Sequence, residues 1–159
     1  MARVSIGLAE MQVVKPPDSI ITYGLGSCVG LVLYDRTTKI AGMVHIVLPH
    51  YNKTLPNVNI AKCADTAVAA LLTNMVKQGA NRAGIIAKLA GGAHVFKGSN
   101  SPALMVGPKN IEVTKQMLQQ LRIKLVAEDC GGEKGRTVEF FPDSGKYVIK
   151  VLGQGEKII

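Results

Sequence analysis

Residues 24–49 read GLGSCVGLVLYDRTTKIAGMVHIVLP, and the parsing of this stretch decides the fold. Two apolar runs, CVGLVLYD and KIAGMVHIVLP, are separated only by a polar turn, the pattern of two paired strands. If they form an antiparallel hairpin, the loop lies within Asp35-Arg36-Thr37-Thr38, and Tyr34 pairs with Lys39. That register sets Cys28 directly opposite His45 on one face, with Cβ atoms about 4.5–5.5 Å apart. A slip of one residue would send the two side chains to opposite faces.

A thiol beside an imidazole has a chemical use. A free cysteine is only slightly ionised at neutral pH, and a neighbouring imidazole can take its proton and later return it to a leaving amine. Cys28 follows Gly-Leu-Gly-Ser, so the backbone there can approach a substrate closely, and the amides at Gly26 and Ser27 are candidate oxyanion donors. The competing reading is structural: a cysteine in an apolar strand is commonly a small buried hydrophobe, and a lone histidine a hydrogen-bonded filler. Spacing alone leaves both open.

Outward from the hairpin, RVSIGLA, MQVVK and SIITYG precede it as short β-rich stretches. The loop PHYNKTLPN leads into a helix expected over about residues 60–78, with Asn59 as N-cap and Gly79 as the residue that stops it. GIIAKLAGGA reads as a buried strand ending in a small-residue loop. A second helix starts near Pro108 and runs to about Arg122, with Ile111, Met117, Leu118 and Leu121 inward. KLVAED, TVEFF and KYVIKVL close the chain, joined by GGEKGR and PDSG turns. About eight strands and two main helices in mixed order predict an α/β sandwich, and no linker or repeat divides residues 1–159.

Composition narrows the function classes. With 159 residues, 47% hydrophobic and 19% charged, the chain is long enough for one buried core. No apolar run approaches the ~20 residues of a membrane span, and the opening MARVSIGLAEM does not read as a secretory signal. The expectation is a cytoplasmic protein with no direct membrane insertion. The three cysteines, Cys28, Cys63 and Cys130, form no C-x-x-C pair, which argues against a disulfide scaffold and a structural zinc site. The formal charge of +8 suits an acidic protein partner as well as nucleic acid. Aromatics at 4% and no Trp leave little to stack bases on, so no nucleic-acid partner is expected.

Other patterns carry less. GLGSCVG misses the G-x-G-x-x-G spacing and enters a strand. Lys134 and Arg136 in GGEKGR make a possible anion site, with a solvated hairpin turn as the plainer reading. Cys63 falls in the first turn of the first helix, Cys130 lies beside a glycine turn, and His94, after GGA, is a reserve candidate for a site residue.

The segments TYGLGSCVGLVLYD, GMVHIVLP, AKCADTAVAALL, KLAGGAHVF, VGPKNIE and AEDCGGEKGRTVEFFPDSGKYVIKV, in this order over nearly the whole chain, resemble the chemoreceptor glutamine deamidase family CheD. The resemblance implies one catalytic domain over residues 1–159, folded as a three-layered α/β sandwich with mixed, largely antiparallel sheets. It implies a triad of Cys28, His45 and Thr22, the threonine hydroxyl orienting the imidazole. It also implies conversion of receptor glutamines to glutamate through a thioester, with neither metal nor organic cofactor. The implied partners are chemoreceptor cytoplasmic domains as substrate and the phosphatase CheC, which acts on phosphorylated CheY. A regulator of CheC that is mainly non-catalytic is the alternative. Two departures are noted: Cys63 stands where an aromatic is expected, and VGPKN replaces a more usual acidic–basic pair.

Overall fold

The computed structural model describes residues 1–52, 54, 59–95 and 105–159. Parts of the PHYNKTLPN loop and Phe96 of KLAGGAHVF lie outside these. In chain order the elements are β1 (Arg3–Ile6), β2 (Met11–Val14), β3 (Ser19–Leu25), β4 (Val29–Asp35), β5 (Ala41–Ile46), α1 (Ala64–Lys77), β6 (Ile85–Gly91), α2 (Val106–Gln120), β7 (Lys124–Cys130), β8 (Arg136–Phe141), β9 (Lys146–Val151) and β10 (Gly155–Ile158). The strands form two five-stranded sheets, ordered β1-β3-β8-β9-β10 and β2-β5-β4-β6-β7. Among the described strands β1–β3 and β6–β7 pair in parallel, and the other neighbours are antiparallel.

Every residue of β4 and β5 is buried, which is why the hairpin reads as two nearly unbroken apolar runs. The two-residue period divides those side chains between two cores. Val29, Leu31 and Leu33 with Val44 and Ile46 pack against Ala64, Ala67, Val68 and Leu71 of α1. Cys28, Val32, Tyr34, Ala41 and Met43 instead meet Leu25, Val138, Phe140 and Tyr147 of the other sheet. The layers are therefore helix, sheet and sheet, the expected α/β sandwich. Each fully buried Leu, Val or Ile here stabilises the fold by about 1.5–3 kcal/mol.

The hairpin register differs from the sequence expectation by two residues. Tyr34 pairs with Ala41, not Lys39, and Gly30 faces His45. The turn is longer because the carboxylate of fully buried Asp35 organises it, accepting from Thr37 N, the Thr38 hydroxyl and Asn81 N. Burial alone would raise the Asp35 pKa, but these hydrogen bonds outweigh it and hold the carboxyl below its ordinary range. Lys39 takes a positive φ of 61° where the chain re-enters the ladder. An even shift keeps parity, so Cys28 and His45 still share a face, diagonally rather than directly opposed.

Helix α1 begins at Ala64, later than periodicity predicts, and Asn59 is not its cap. The first free amides, Ala64 N and Asp65 N, donate to Leu48 O and Pro49 O beyond β5, so strand-end carbonyls do the capping. Gly79, at φ +107°, stops the helix as expected. Helix α2 buries Asn110, Val113, Thr114 and Leu118; Ile111, Met117 and Leu121 are only partly covered.

Candidate active site

The chain leaves one sheet at Leu25 and enters the other at Val29, crossing in three residues, Gly26-Ser27-Cys28. All three carbonyls of this crossing are held. Gly26 O accepts from Ala93 N at 2.8 Å, Ser27 O from Asn110 Nδ2 at 2.9 Å, and Cys28 O from Gly92 N at 2.8 Å. Gly91, at φ +104°, is needed beside it, because a Cβ there would collide with Cys28 O. Cys28 is buried and faces the space between the sheets. Burial pushes its thiol pKa above the ordinary value, partly countered by a hydrogen bond from its own backbone N–H.

His45, on β5, faces the same space and is almost wholly buried. Its Nδ1 lies 2.7 Å from the hydroxyl of Thr22, on β3 of the opposite sheet. That hydroxyl also donates to Ile6 O at 2.9 Å. A hydroxyl has one proton, so toward the imidazole it acts as acceptor, and the ring proton belongs on Nδ1. Nε2 is then left with a lone pair, buried and without a hydrogen-bond partner among the described residues. Burial also lowers the His45 pKa, so the ring is neutral at physiological pH. The group is a poised proton acceptor. Directly across the ladder stands Gly30, whose carbonyl accepts from the buried Tyr147 hydroxyl at 2.8 Å; a Cβ at Gly30 would lie 2.7 Å from that oxygen.

Cys28, His45 and Thr22 thus converge on the layer between the sheets. The Gly26 amide donates to Gly24 O within the loop. The remaining candidates are elsewhere. Cys63 is buried as the N-cap residue of α1. Cys130 ends β7, its pKa pushed up to about 12 chiefly by burial. In the GGEKGR turn, the Arg136 side chain is taken up at 3.0 Å by Asp129, which also receives Lys157 at 3.0 Å. His94 donates its backbone N–H to Gly132 O. A groove of about 700 Å³, lined by Tyr23, Lys150 and Leu152 among others, does not include Cys28. Asn110 was not anticipated. Its signal was a buried helical spacing shared with Val113, Thr114 and Leu118, overlooked because it is polar.

The family described as CheD chemotactic sensory transduction matches residues 47–151. A probable chemoreceptor glutamine deamidase CheD of Lachnoclostridium phytofermentans is 49% identical over 98% of both chains. The chemoreceptor glutamine deamidase CheD of Bacillus licheniformis is 47% identical over 96% of this chain and 92% of that one. That of Bacillus subtilis is 43% identical over 98% and 95%. The chain belongs to the CheD family. A more distant likeness, to a crystal structure titled Bacillus licheniformis hypothetical protein YfiH, has a TM-score of 0.50 over 76% of this CheD-family chain and 49% of the other. At 14% identity it speaks to the fold alone.

Proposed function

We propose that this chain is a cytoplasmic chemoreceptor glutamine deamidase acting through Cys28, His45 and Thr22. The relatives' names supply the substrate class. The observation that carries the mechanism is the buried, unpartnered Nε2 of an imidazole whose Nδ1–H is held by Thr22, on the face that Cys28 occupies.

The thiol and the imidazole both start neutral, because burial disfavours the charged form of each. Nε2 takes the Sγ proton as sulfur attacks the side-chain amide carbon of a receptor glutamine, and a C–S bond forms. The Gly26 amide is taken up by Gly24 O, which leaves the Ser27 and Cys28 amides as the candidate donors to the developing oxyanion. The imidazolium returns its proton to the amide nitrogen, the C–N bond breaks and ammonia leaves. Water, deprotonated by Nε2, then attacks the thioester; the C–S bond breaks, giving glutamate and the thiol. The net reaction is glutamine plus water to glutamate plus ammonia, in one catalytic domain with no organic cofactor or metal invoked.

In the same reading the phosphatase CheC is a partner, as the resemblance implies, and co-purification tests it. No helix among the described residues is long and apolar enough to cross a membrane. The decisive test incubates purified protein with a receptor cytoplasmic fragment and follows, by mass spectrometry, the mass gained when amide NH2 becomes hydroxyl. Wild type converts glutamines and Cys28→Ala does not. Turnover by the Ala variant would refute the covalent route.

A further inference from the structure

Between Ser27, which precedes the proposed nucleophile, and Val47, two residues beyond the proposed base, the sheet has no rung. The last pair of the β4–β5 ladder is Val29 with Ile46. Beyond it the chain turns away: Val47 N donates to Lys62 O, and Val47 O and Ser27 O are left as two acceptors. Two carbonyls cannot bond each other. They need one group with two hydrogens to give.

Asn110 supplies it. Its Nδ2 donates to Ser27 O at 2.9 Å and to Val47 O at 3.0 Å, using both amide hydrogens. The assignment of nitrogen is forced by the two acceptors, since the flipped amide would set oxygen against oxygen. Asn110 is fully buried, which holds the bridge away from competing water. The placement depends on Gly107 one turn earlier, because a Cβ there would collide with Ala93 O, so only glycine lets α2 seat on the loop that also binds Gly26 and Cys28.

Resting on the deamidase reading, we infer that Asn110 is a positioning residue for the reaction: its side-chain amide replaces the missing rung and sets the Cys28 turn against the strand that carries His45. Both of its amide hydrogens go to backbone carbonyls rather than to the thiol. Its effect falls on kcat through the geometry of proton transfer, while binding of a receptor helix is left alone.

The test compares Asn110→Ala, Asn110→Ser and the control Thr114→Val, one turn further along the same buried face, each first shown to be folded by its melting curve. Two readouts are taken: deamidation kinetics on a receptor fragment, and the pH profile of Cys28 alkylation by iodoacetamide. A misplacement of about 1 Å costs roughly 100-fold, so Asn110→Ala loses kcat on that order with KM unchanged. Asn110→Ser, with one hydrogen to give, falls between it and wild type. In Asn110→Ala the alkylation profile also loses the inflection contributed by His45. Thr114→Val matches wild type in both readouts despite any loss of stability. If Asn110→Ala folds and keeps both kcat and the wild-type alkylation profile, the inference is overturned; should Ala not fold, the same outcome in Asn110→Ser overturns it. If wild type itself fails to deamidate, the proposed function is at fault, and the alkylation profile still decides the role of Asn110.

Discussion

Replacing Thr22 by Val keeps the shape of the side chain and removes one oxygen. In the wild-type geometry that oxygen accepts the Nδ1 proton of His45 at 2.7 Å, in a site with no exposure at Thr22 and almost none at His45. Val leaves the Nδ1–H buried and unpaired, a condition that costs about 1–3 kcal/mol. Moving the proton to Nε2 offers no relief, since that nitrogen too is buried without a partner among the described residues. The preference for the form with Nε2 free is therefore lost, and the two tautomers become comparably populated. Only the form with Nε2 free can take the Cys28 proton, which costs about twofold, and the imidazole is no longer held against the opposite sheet. A misplacement of up to about 1 Å brings the fall in kcat to roughly 10- to 100-fold. This stays below the full value of a general base, about 10²- to 10⁴-fold. Thr22→Ser keeps the hydroxyl and deletes a buried methyl, so it loses about 1 kcal/mol of stability and little rate. The assay is single-turnover deamidation of a receptor fragment, with ring protonation read from histidine ¹⁵N shifts. Unchanged turnover in the Val variant, or a wild-type spectrum with the proton on Nε2, would refute the reasoning.

The pH profile should have its acid limb below the ordinary imidazole value of 6.5, because burial lowers the His45 pKa and the ring must be neutral to accept a proton; a limb above that value would contradict a desolvated base. At neutral pH iodoacetamide should modify Cys28 before Cys130, whose pKa near 12 leaves almost no thiolate; intact-mass and peptide mapping would expose the reverse order. Gly30→Ala should crowd the Tyr147 hydroxyl, which a Cβ would approach to 2.7 Å. Overpacking of that kind costs about 1–3 kcal/mol, or roughly 2–12 °C in Tm, and an unshifted calorimetric melt would count against it.

How far the sequence could be read depended on the range of the interactions. Local patterning located the central strands, both helices and the stop at Gly79, because periodicity and glycine preference act over a few residues. Parity across the hairpin was legible for the same reason. Its register was not, since the turn length depends on Asp35 being buried against Asn81, far along the chain. The start of α1 was misjudged because its cap comes from Leu48 and Pro49, and β10 was missed because all four of its residues are exposed. Thr22 meets His45 only through the stacking of two sheets, a contact without any sequence period; resemblance alone singled it out. Asn110 was not singled out, because the two carbonyls it serves, Ser27 O and Val47 O, lie far from it in the chain.

The bond between Thr22 and His45 joins one sheet to the other, and this gives the protein a property beyond chemistry. Hydrogen bonds weaken steeply once donor and acceptor separate or misalign. A slide of the two layers by a fraction of an ångström would leave both hydrophobic cores largely intact while releasing the imidazole. The base therefore acts as a gauge of how the layers are seated, and heat should silence the site some degrees before the molecule melts.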